Sequence, residues 1–427
     1  MPRTRTPRRV TTRAAAAATV CLVAATAAPG LASAAPMGLT VEEQRLTTTI
    51  PGTDRRASAA FIEADGLDQD VARFVSRLRD ASPGEARRLA PESGAALWKK
   101  AVRAVQSEHA TTAGDHDDRG LYWARLAMTS ALKSWAGGDP ARAAALPDAL
   151  HALDYASRGI TDTGFPSGPG TTRIMMSGFD PFILDEQIRR SNPSGAIALV
   201  MDGKTIQTPN GPAVVQAVML PVTWSEFDKG IVEDAYGPHL SRGAADADLA
   251  ITVSQARKSF DIEQWAGANR GGRKDNLNEE ISGQVPLSPR WAQPASNPQF
   301  IETTLPWRAM VAAGTGPFTV RLNPDACGRD GAGPASCTDD GPKPGWTAVK
   351  GGGGDYLSNE SMYRVNRLRT ALGRTDIGGG HLHTPAIEYD SLTGPELSTA
   401  AFAKQRRDIV HQAEALIAAA AAARGIR

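Results

Sequence analysis

Three polar residues of this chain have the types and settings that hydrolytic chemistry uses. The segment GGGGDYLSNESMYRV, residues 351–365, passes from a glycine run through a short apolar turn into a helix whose first side chains are Ser358 and Asn359. A side chain there lies among unpaired backbone N–H groups at the positive end of the helix dipole, a setting that stabilises a developing anion. Ser358 is therefore a candidate nucleophile, or a helix cap, since serine is among the preferred N-cap residues. His381 and His383, in GHLHTP, stand two apart, so on a strand they face the same way. One of them is a candidate general base. The spacing would also serve a metal, but no Glu/His pair at ligand spacing completes such a site. Glu263, in FDIEQWAGAN, closes a strand-like segment, where it is either a partner for a histidine or an ordinary surface charge.

The elements that must position these residues change character along the chain. Residues 41–159 read as helices. DQDVARFVSRLRDA places Val71, Phe74, Val75 and Leu78 at i, i+3, i+4 and i+7. SGAALWKKAVRAVQSEH and RGLYWARLAMTSALKSW are amphipathic in the same way. DPARAAALPDALHALDYASRG carries Pro147, which should break or kink its helix. This module holds no catalytic constellation and reads as a structural cover. DHDD, residues 115–118, reads as a solvated loop between helices. Residues 160–170 form a linker by composition. From residue 171 to 427, strand-like and helix-like stretches alternate: TTRIMMSGF, PSGAIALVMDG, AVVQAVMLPV, WSEFDKGIVEDAYG, ADLAITVSQA. That alternation predicts an α/β domain with a mostly parallel sheet flanked by helices, preceded by the small all-α module. Residues 278–297, polar and proline-rich, read as a long loop, and a final helix closes the chain.

Composition narrows the partners. The chain has 427 residues, 41% of them hydrophobic and 22% charged, with a formal net charge of +1. No global field favours nucleic acid, and no basic stripe is interleaved with aromatics. The basic start MPRTRTPRRVTTR, the small apolar run after it and ASA at residues 32–34 have the layout of a secretory signal peptide. They predict export with a mature chain beginning near Ala35. No later apolar run is long enough to span a bilayer. Cys21 would leave with the signal. Cys327 and Cys337, in CGRDGAGPASC, would remain as an even pair in an exported protein, which predicts a disulfide.

Taken together, seven of these segments resemble, in order, the pyroglutamyl peptidase (pyrrolidone-carboxylate peptidase) family of cysteine peptidases. MSGFDPF resembles that family's opening strand and Gly-Phe-Glu-Pro-Phe turn, NPSGAIAL its first helix, and VMLPVTW its Leu-Pro-Val strand end. IEQWAGANRGGRKDN resembles the segment bearing the catalytic Glu, TTLPW a helix start, DYLSNESMYR the segment of the nucleophile and HLHTP that of the catalytic His. The resemblance covers about residues 171–424. It implies that Glu263 orients the histidine, that His383 rather than His381 is the base, and that Phe179 and Phe182 line the pyrrolidone pocket. It also implies that Arg273 matches a basic substrate-binding residue near the family's site, with local spacing that differs by one residue. Ser358 takes the place of the family's cysteine. An ungapped alignment puts Val253 where the family often has a lactam-reading Gln.

The resemblance implies a peptide substrate or ligand and no cofactor. Two functions follow from it. One is a hydrolase that removes N-terminal pyroglutamyl or related cyclic acyl groups by a Ser-His-Glu version of the site. The other is an inactive relative that binds blocked peptides or a protein partner. A serine hydroxyl cannot exist as the standing anion that a thiol forms beside histidine, so its proton must be removed during attack.

Overall fold

The computed structural model of the protein describes residues 38–109, 115–166, 170–243, 246–288 and 290–424. The predicted leader, with Cys21, lies outside these residues. Seven strands make the central sheet: β1 (Thr172–Phe179), β2 (Thr205–Thr208), β3 (Gly211–Leu220), β4 (Leu249–Arg257), β5 (Phe260–Glu263), β6 (Val320–Asn323) and β7 (Gly378–Pro385). Their order is β6-β5-β7-β4-β1-β3-β2. The four central strands β7, β4, β1 and β3 are mutually parallel. β5 runs antiparallel to β7 with β6 parallel to it, and β2 runs antiparallel to β3. The α/β class expected from the alternating pattern is what the chain adopts.

Strand periodicity explains how the layers form. On β1, Ile174 and Met176 enter one apolar cluster and Met175 the other, so both faces of this strand are buried. One face meets helices α6 (Pro193–Met201) and α9 (Ala400–Arg424), together with the helical region. The other meets α7 (Ile231–Leu240) and α8 (Leu357–Ala371). The helical region comprises α1 (Ala57–Ala64), α2 (Asp68–Arg79), α3 (Pro83–His109), α4 (Arg119–Ala136) and α5 (Pro140–Ser157). Its buried Phe61, Leu97, Trp98 and Trp123 belong to the same cluster as sheet residues Ile174 and Val253. The helices thus bury their apolar faces on the sheet layer as well as on one another. Polar seams reinforce the contact: Trp98 Nε1 donates to Asp202 Oδ2 at 2.9 Å, and Gln106 Nε2 donates to the Asp202 carbonyl at 2.8 Å.

Four local expectations are corrected. α5 runs through Pro147 without a break. Proline removes one intrahelical donor, but buried Ala145, Leu146, Ala149 and Leu153 keep the helix seated on both sides of it. WSEFDKGIVEDAYG forms two helices, Trp224–Asp228 and α7, because Gly230 takes φ 90° between them. Part of the expected loop 278–297 is a strand, Glu280–Gln284, paired with Asn269–Lys274 in a hairpin. On α2, Phe74 and Leu78 are buried, whereas Val75 is exposed.

The segment at residues 115–118 departs furthest from its expectation. It is a buried ionic clamp, not a solvated loop. Asp117 accepts from Arg119 Nε at 2.7 Å and from Arg406 Nη1 at 3.3 Å. Asp118 accepts from the Asn192 backbone N–H at 2.8 Å, from the Ser191 hydroxyl, and lies 3.6 Å from Arg406 Nη1. Burial alone would raise the Asp117 carboxyl; Arg119 and Arg406 outweigh it and hold that carboxyl well below its ordinary range. Arg406 belongs to α9, so the clamp joins the helical region to the end of the chain.

Cys327 and Cys337 are disulfide-bonded. They lie directly opposite each other on the antiparallel strands Ala326–Arg329 and Ser336–Thr338.

Two measurements check these features. Arg406→Ala should lower the free energy of unfolding by about 3–5 kcal/mol in urea titration, because it strands buried carboxylates. A loss within about 0.5 kcal/mol is the response of a surface position and would restore the solvated reading. Intact-mass analysis should find the purified protein two hydrogens lighter than its thiol form, and reduction should cost roughly 2–3 kcal/mol of stability for so short a loop.

Candidate active site

Ser358, His383 and Glu263 arise from separate elements that converge at one end of the sheet. β7 ends at Pro385, β1 at Phe179 and β4 at Arg257, so their carboxyl ends share an edge. Such an edge is where open α/β sheets bind ligands. β5 comes to it from the other direction. Its antiparallel pairing sets Glu263 opposite His381 and Asp261 opposite His383. Opposed residues share a face, and residues two apart share a face, so two acids and two histidines lie on the same side.

Their partners separate their roles. His383 Nδ1 is 2.5 Å from Glu263 Oε1. A carboxylate only accepts, so Nδ1 carries a proton. Nε2 is buried and has no hydrogen-bond partner. Glu263 is fully buried, and its second oxygen accepts from Asn323 Nδ2 at 2.7 Å. Arg257 Nη2 stands 4.0 Å from Glu263 Oε1. His381 is satisfied at both nitrogens, by Thr252 Oγ1 at 2.7 Å and Ser254 Oγ at 2.8 Å. Burial, and then the neighbouring His383 and Arg257, hold its pKa well below the ordinary value. Asp261 is occupied by Arg321, at 2.9 and 2.7 Å. Among these four, only His383 has a nitrogen left for chemistry.

The glycine run exists because backbone passes between these groups. A Cβ on Gly351 would fall 2.3 Å from Asn359 Oδ1, and one on Gly352 2.3 Å from Glu263 Oε2. A Cβ on Gly353 would sit 3.4 Å from His383 Cε1. The Gly352 carbonyl accepts from Arg257 Nη2 at 2.6 Å and from Asn323 Nδ2 at 3.1 Å, which fixes the loop against the pair. The chain then enters α8. Its N-cap is Tyr356, and no side chain caps it.

Ser358 is the second residue of α8, so it is not the cap. Its Oγ donates to the Gly353 carbonyl at 3.3 Å. Gly353 therefore holds the Ser358 hydroxyl through its carbonyl, and its missing Cβ is the space next to the His383 ring. The next side chains anchor the helix. Asn359 clamps Gly267, Nδ2 donating to its carbonyl and Oδ1 accepting from its N–H, both at 2.8 Å. Glu360, buried, takes Arg270 at 2.6 Å and Arg364 at 2.7 Å. The turn of about 100° per residue leaves Ser358, beside Leu357, at the cavity while Asn359 and Glu360 point to their anchors.

That cavity, of about 30 Å³, is lined by Phe179, Phe182, Gln255, Leu357 and Ser358, among others. Both predicted phenylalanines are present. Arg273 is not; its side chain is exposed, pairs with Asp355 at 3.0 Å, and lines a wider cleft of about 530 Å³ that shares Phe182 and Tyr356 with the cavity. Val253 lies in the core, and Gln255, two residues further along β4, reaches the cavity with its buried Oε1 unpartnered. Alignment without a gap missed it. The carboxyl-end position on β4 was the available signal. Asn323 and Arg257 carried no sequence signal, since each acts through a loop distant along the chain. Among the described residues no group of three or more His, Cys, Asp or Glu is disposed to hold a metal ion.

The class of protein is thus a helix-covered α/β fold with a mostly parallel sheet and a buried His-Glu pair at one end of it. The chain belongs to the PA0049 family. The family's C-terminal domain profile matches residues 173–294 and 322–388, and its N-terminal domain profile matches residues 23–154. Uncharacterized protein PA0049 of Pseudomonas aeruginosa is 30% identical over 452 residues, covering 82% of this chain and 81% of that protein. Among solved structures, the chain is similar to a mutant pyrrolidone carboxyl peptidase from Pyrococcus furiosus, with 20% identity, 58% of this chain and 98% of that one covered, and a TM-score of 0.39. It is also similar to pyroglutamyl peptidase I from Bacillus amyloliquefaciens, with 18% identity, 60% and 97% coverage, and a TM-score of 0.41.

The glycine packing is open to direct test. Gly352→Ala should cost about 1–3 kcal/mol by overpacking and abolish the low-field imidazole N–H resonance expected for His383 paired with Glu263. Gly354→Ala, at φ +86° with open space around its Cβ, should retain that resonance. If both variants keep it, the loop does not hold the pair.

Proposed function

We propose that this protein is a hydrolase that removes an N-terminal pyroglutamyl or related cyclic acyl group from peptides, with Ser358 as nucleophile, His383 as base and Glu263 as the group that orients the imidazole. The observation that carries the reading is the buried His383-Glu263 pair, whose open Nε2 lies across one glycine from a serine at an uncapped helix start. The motif order that resembles pyroglutamyl peptidases supports the substrate class. So does the cavity, where Phe179 and Phe182 supply apolar walls and Gln255 an unpaired carbonyl for a lactam N–H.

In this mechanism Ser358 Oγ turns from Gly353 to His383 and attacks the acyl carbonyl carbon as Nε2 takes its proton. The negative oxygen is held at the N-terminus of α8. The bond to the peptide nitrogen breaks, and the amine leaves with the proton from Nε2. Water, deprotonated by the same nitrogen, then attacks the acyl-serine ester; the bond to Ser358 Oγ breaks as Nε2 returns the proton to it, and the cyclic acid is released. A cavity of about 30 Å³ holds one or two waters, so a five-membered ring requires the Phe182 or Tyr356 side to move outward. Export is part of the proposal, supported by the leader pattern and by a disulfide of the kind that persists outside the cytosol.

A second reading is favoured by one observation: the Ser358 hydroxyl is bonded to Gly353 and not to His383. In that reading the pocket binds blocked peptides without turnover. Assay of a pyroglutamyl chromogenic substrate separates the two. Activity lost by a factor of about 1,000 or more in Ser358→Ala supports the serine enzyme. An inactive wild type with an active, alkylation-sensitive Ser358→Cys supports the binding protein. Undiminished activity in Ser358→Ala removes Ser358 from the mechanism. If no folded variant hydrolyses or binds a pyroglutamyl peptide, the substrate class is wrong.

A further inference from the structure

We infer that Arg125 and Arg158 of the helical region, with Asp118, are positioning residues that set the wall of the cavity beside Ser358, so that ligand affinity is controlled from outside the sheet domain. The inference rests on the reading of that cavity as the ligand site. Its physical basis is the turn at residues 179–182, which carries both cavity phenylalanines and has Asp180 and Pro181 between them.

Several polar groups of this turn are held from the helical segment at residues 41–159 or through a residue that this segment holds. Asp180 is buried, and Arg125 Nη1 donates to both its oxygens at 2.9 Å. Arg158 Nη1 donates to Oδ2 at 2.7 Å from a different direction. Two guanidinium groups from different places triangulate one carboxylate. Each is itself tethered, Arg125 Nε by Ser157 Oγ at 3.0 Å and Arg158 Nε by Asp154 Oδ1 at 2.8 Å. Burial alone would raise the Asp180 carboxyl, and the two arginines bring it below its ordinary value.

The backbone of the turn is secured in parallel. The Asp180 carbonyl accepts from Asn192 Nδ2 at 3.0 Å, and Asn192 in turn donates its own N–H to Asp118. Asn192 also lines the cavity. The Pro181 carbonyl accepts from Asn276 Nδ2 at 2.9 Å, and the same nitrogen donates to Glu42 at 3.0 Å. Two others are held within the sheet domain: the Asp180 N–H donates to the Leu220 carbonyl at 3.0 Å, and the Phe179 N–H donates to Ser194 Oγ at 3.1 Å. Packing alone would seat an apolar side chain in place of Asp180 at no loss of stability. Charged hydrogen bonds from several directions add a fixed orientation, which a cavity with one unpaired carbonyl needs.

The test uses the full mature chain carrying Ser358→Ala, so that no ligand is turned over. Hydrogen exchange is followed by mass spectrometry on peptides covering residues 176–184, and binding of the dipeptide pyroglutamyl-alanine is followed by calorimetry. Arg125→Lys and Arg158→Lys keep the charge and lose the triangulation. Each should speed exchange at residues 179–182 roughly tenfold, leave exchange elsewhere unchanged, and weaken dipeptide binding roughly tenfold. Two separate variants guard against misfolding of one. Trp98→Phe breaks a contact of the helical region at Asp202, the far end of α6 from Asn192, and should change neither readout at the turn. If the lysine variants exchange faster evenly along the chain, or match Trp98→Phe, the arginines only stabilise and the inference falls. If exchange responds at the turn but the dipeptide binds to no variant, the inference stands and the substrate class is what fails.

Discussion

Backbone must pass within a side chain's width of Glu263, His383 and Asn359, and only glycine can make that passage. The buried pair and the start of α8 come from opposite sides of the loop at residues 351–353. Any Cβ on its first two residues would overlap an oxygen of one or the other. From this constraint much of the site follows. The loop can lie against Glu263 only if Asn323 and Arg257 hold its carbonyl. The helix can start where it does only if Asn359 grips Gly267. The histidine gains a fixed tautomer from the same arrangement, since its inner nitrogen is committed to a carboxylate that is itself pinned.

The helical region and the sheet divide the labour. The sheet edge supplies the groups with chemical capability, and the helices supply rigidity to the wall opposite them. Buried arginines mark the division. Arg125 and Arg158 face the turn, Arg119 and Arg406 the clamp at residues 115–118, and Arg270 and Arg364 the start of α8. Each is almost fully buried and meets carboxylates. Such pairs add little net stability compared with apolar packing, but they tolerate few alternative geometries.

How much of this could be read from the residues alone depended on the range of the interaction. Strands such as TTRIMMSGF and helices such as PSGAIALVMDG follow from local periodicity and were legible. So were Ser358, His383 and Glu263 as candidates, because each sits in a recognisable local setting. The resemblance implied His383 rather than His381 from the residues beside it; that two hydroxyls occupy His381 could not be read there, because Thr252 and Ser254 lie on another strand. The clamp at Asp117 and Asp118 was not legible, because four charged residues in a row look solvated until Arg406 is brought back to them. Gln255 was missed for a different reason. A shift of two residues along a strand keeps the same face but moves a side chain from the core to the ligand edge. The continuity of α5 through Pro147 was hidden because flanking burial outweighs the local defect.

The join between Arg406 and the segment at Asp115–Asp118 also bears on how the molecule is made. Its two halves lie 291 positions apart, about three quarters of the described span. The helices are synthesised first, yet their clamp cannot close until the last helix has emerged. Contacts of such separation are late and slow, because the loop between them must be ordered first. Until then the apolar surface that α9 covers stays open, which exposes a nascent chain to aggregation and proteolysis. A chain carried across a membrane before folding would face that interval on the far side, and loss of even the final helix would leave the earliest part of the protein unfinished.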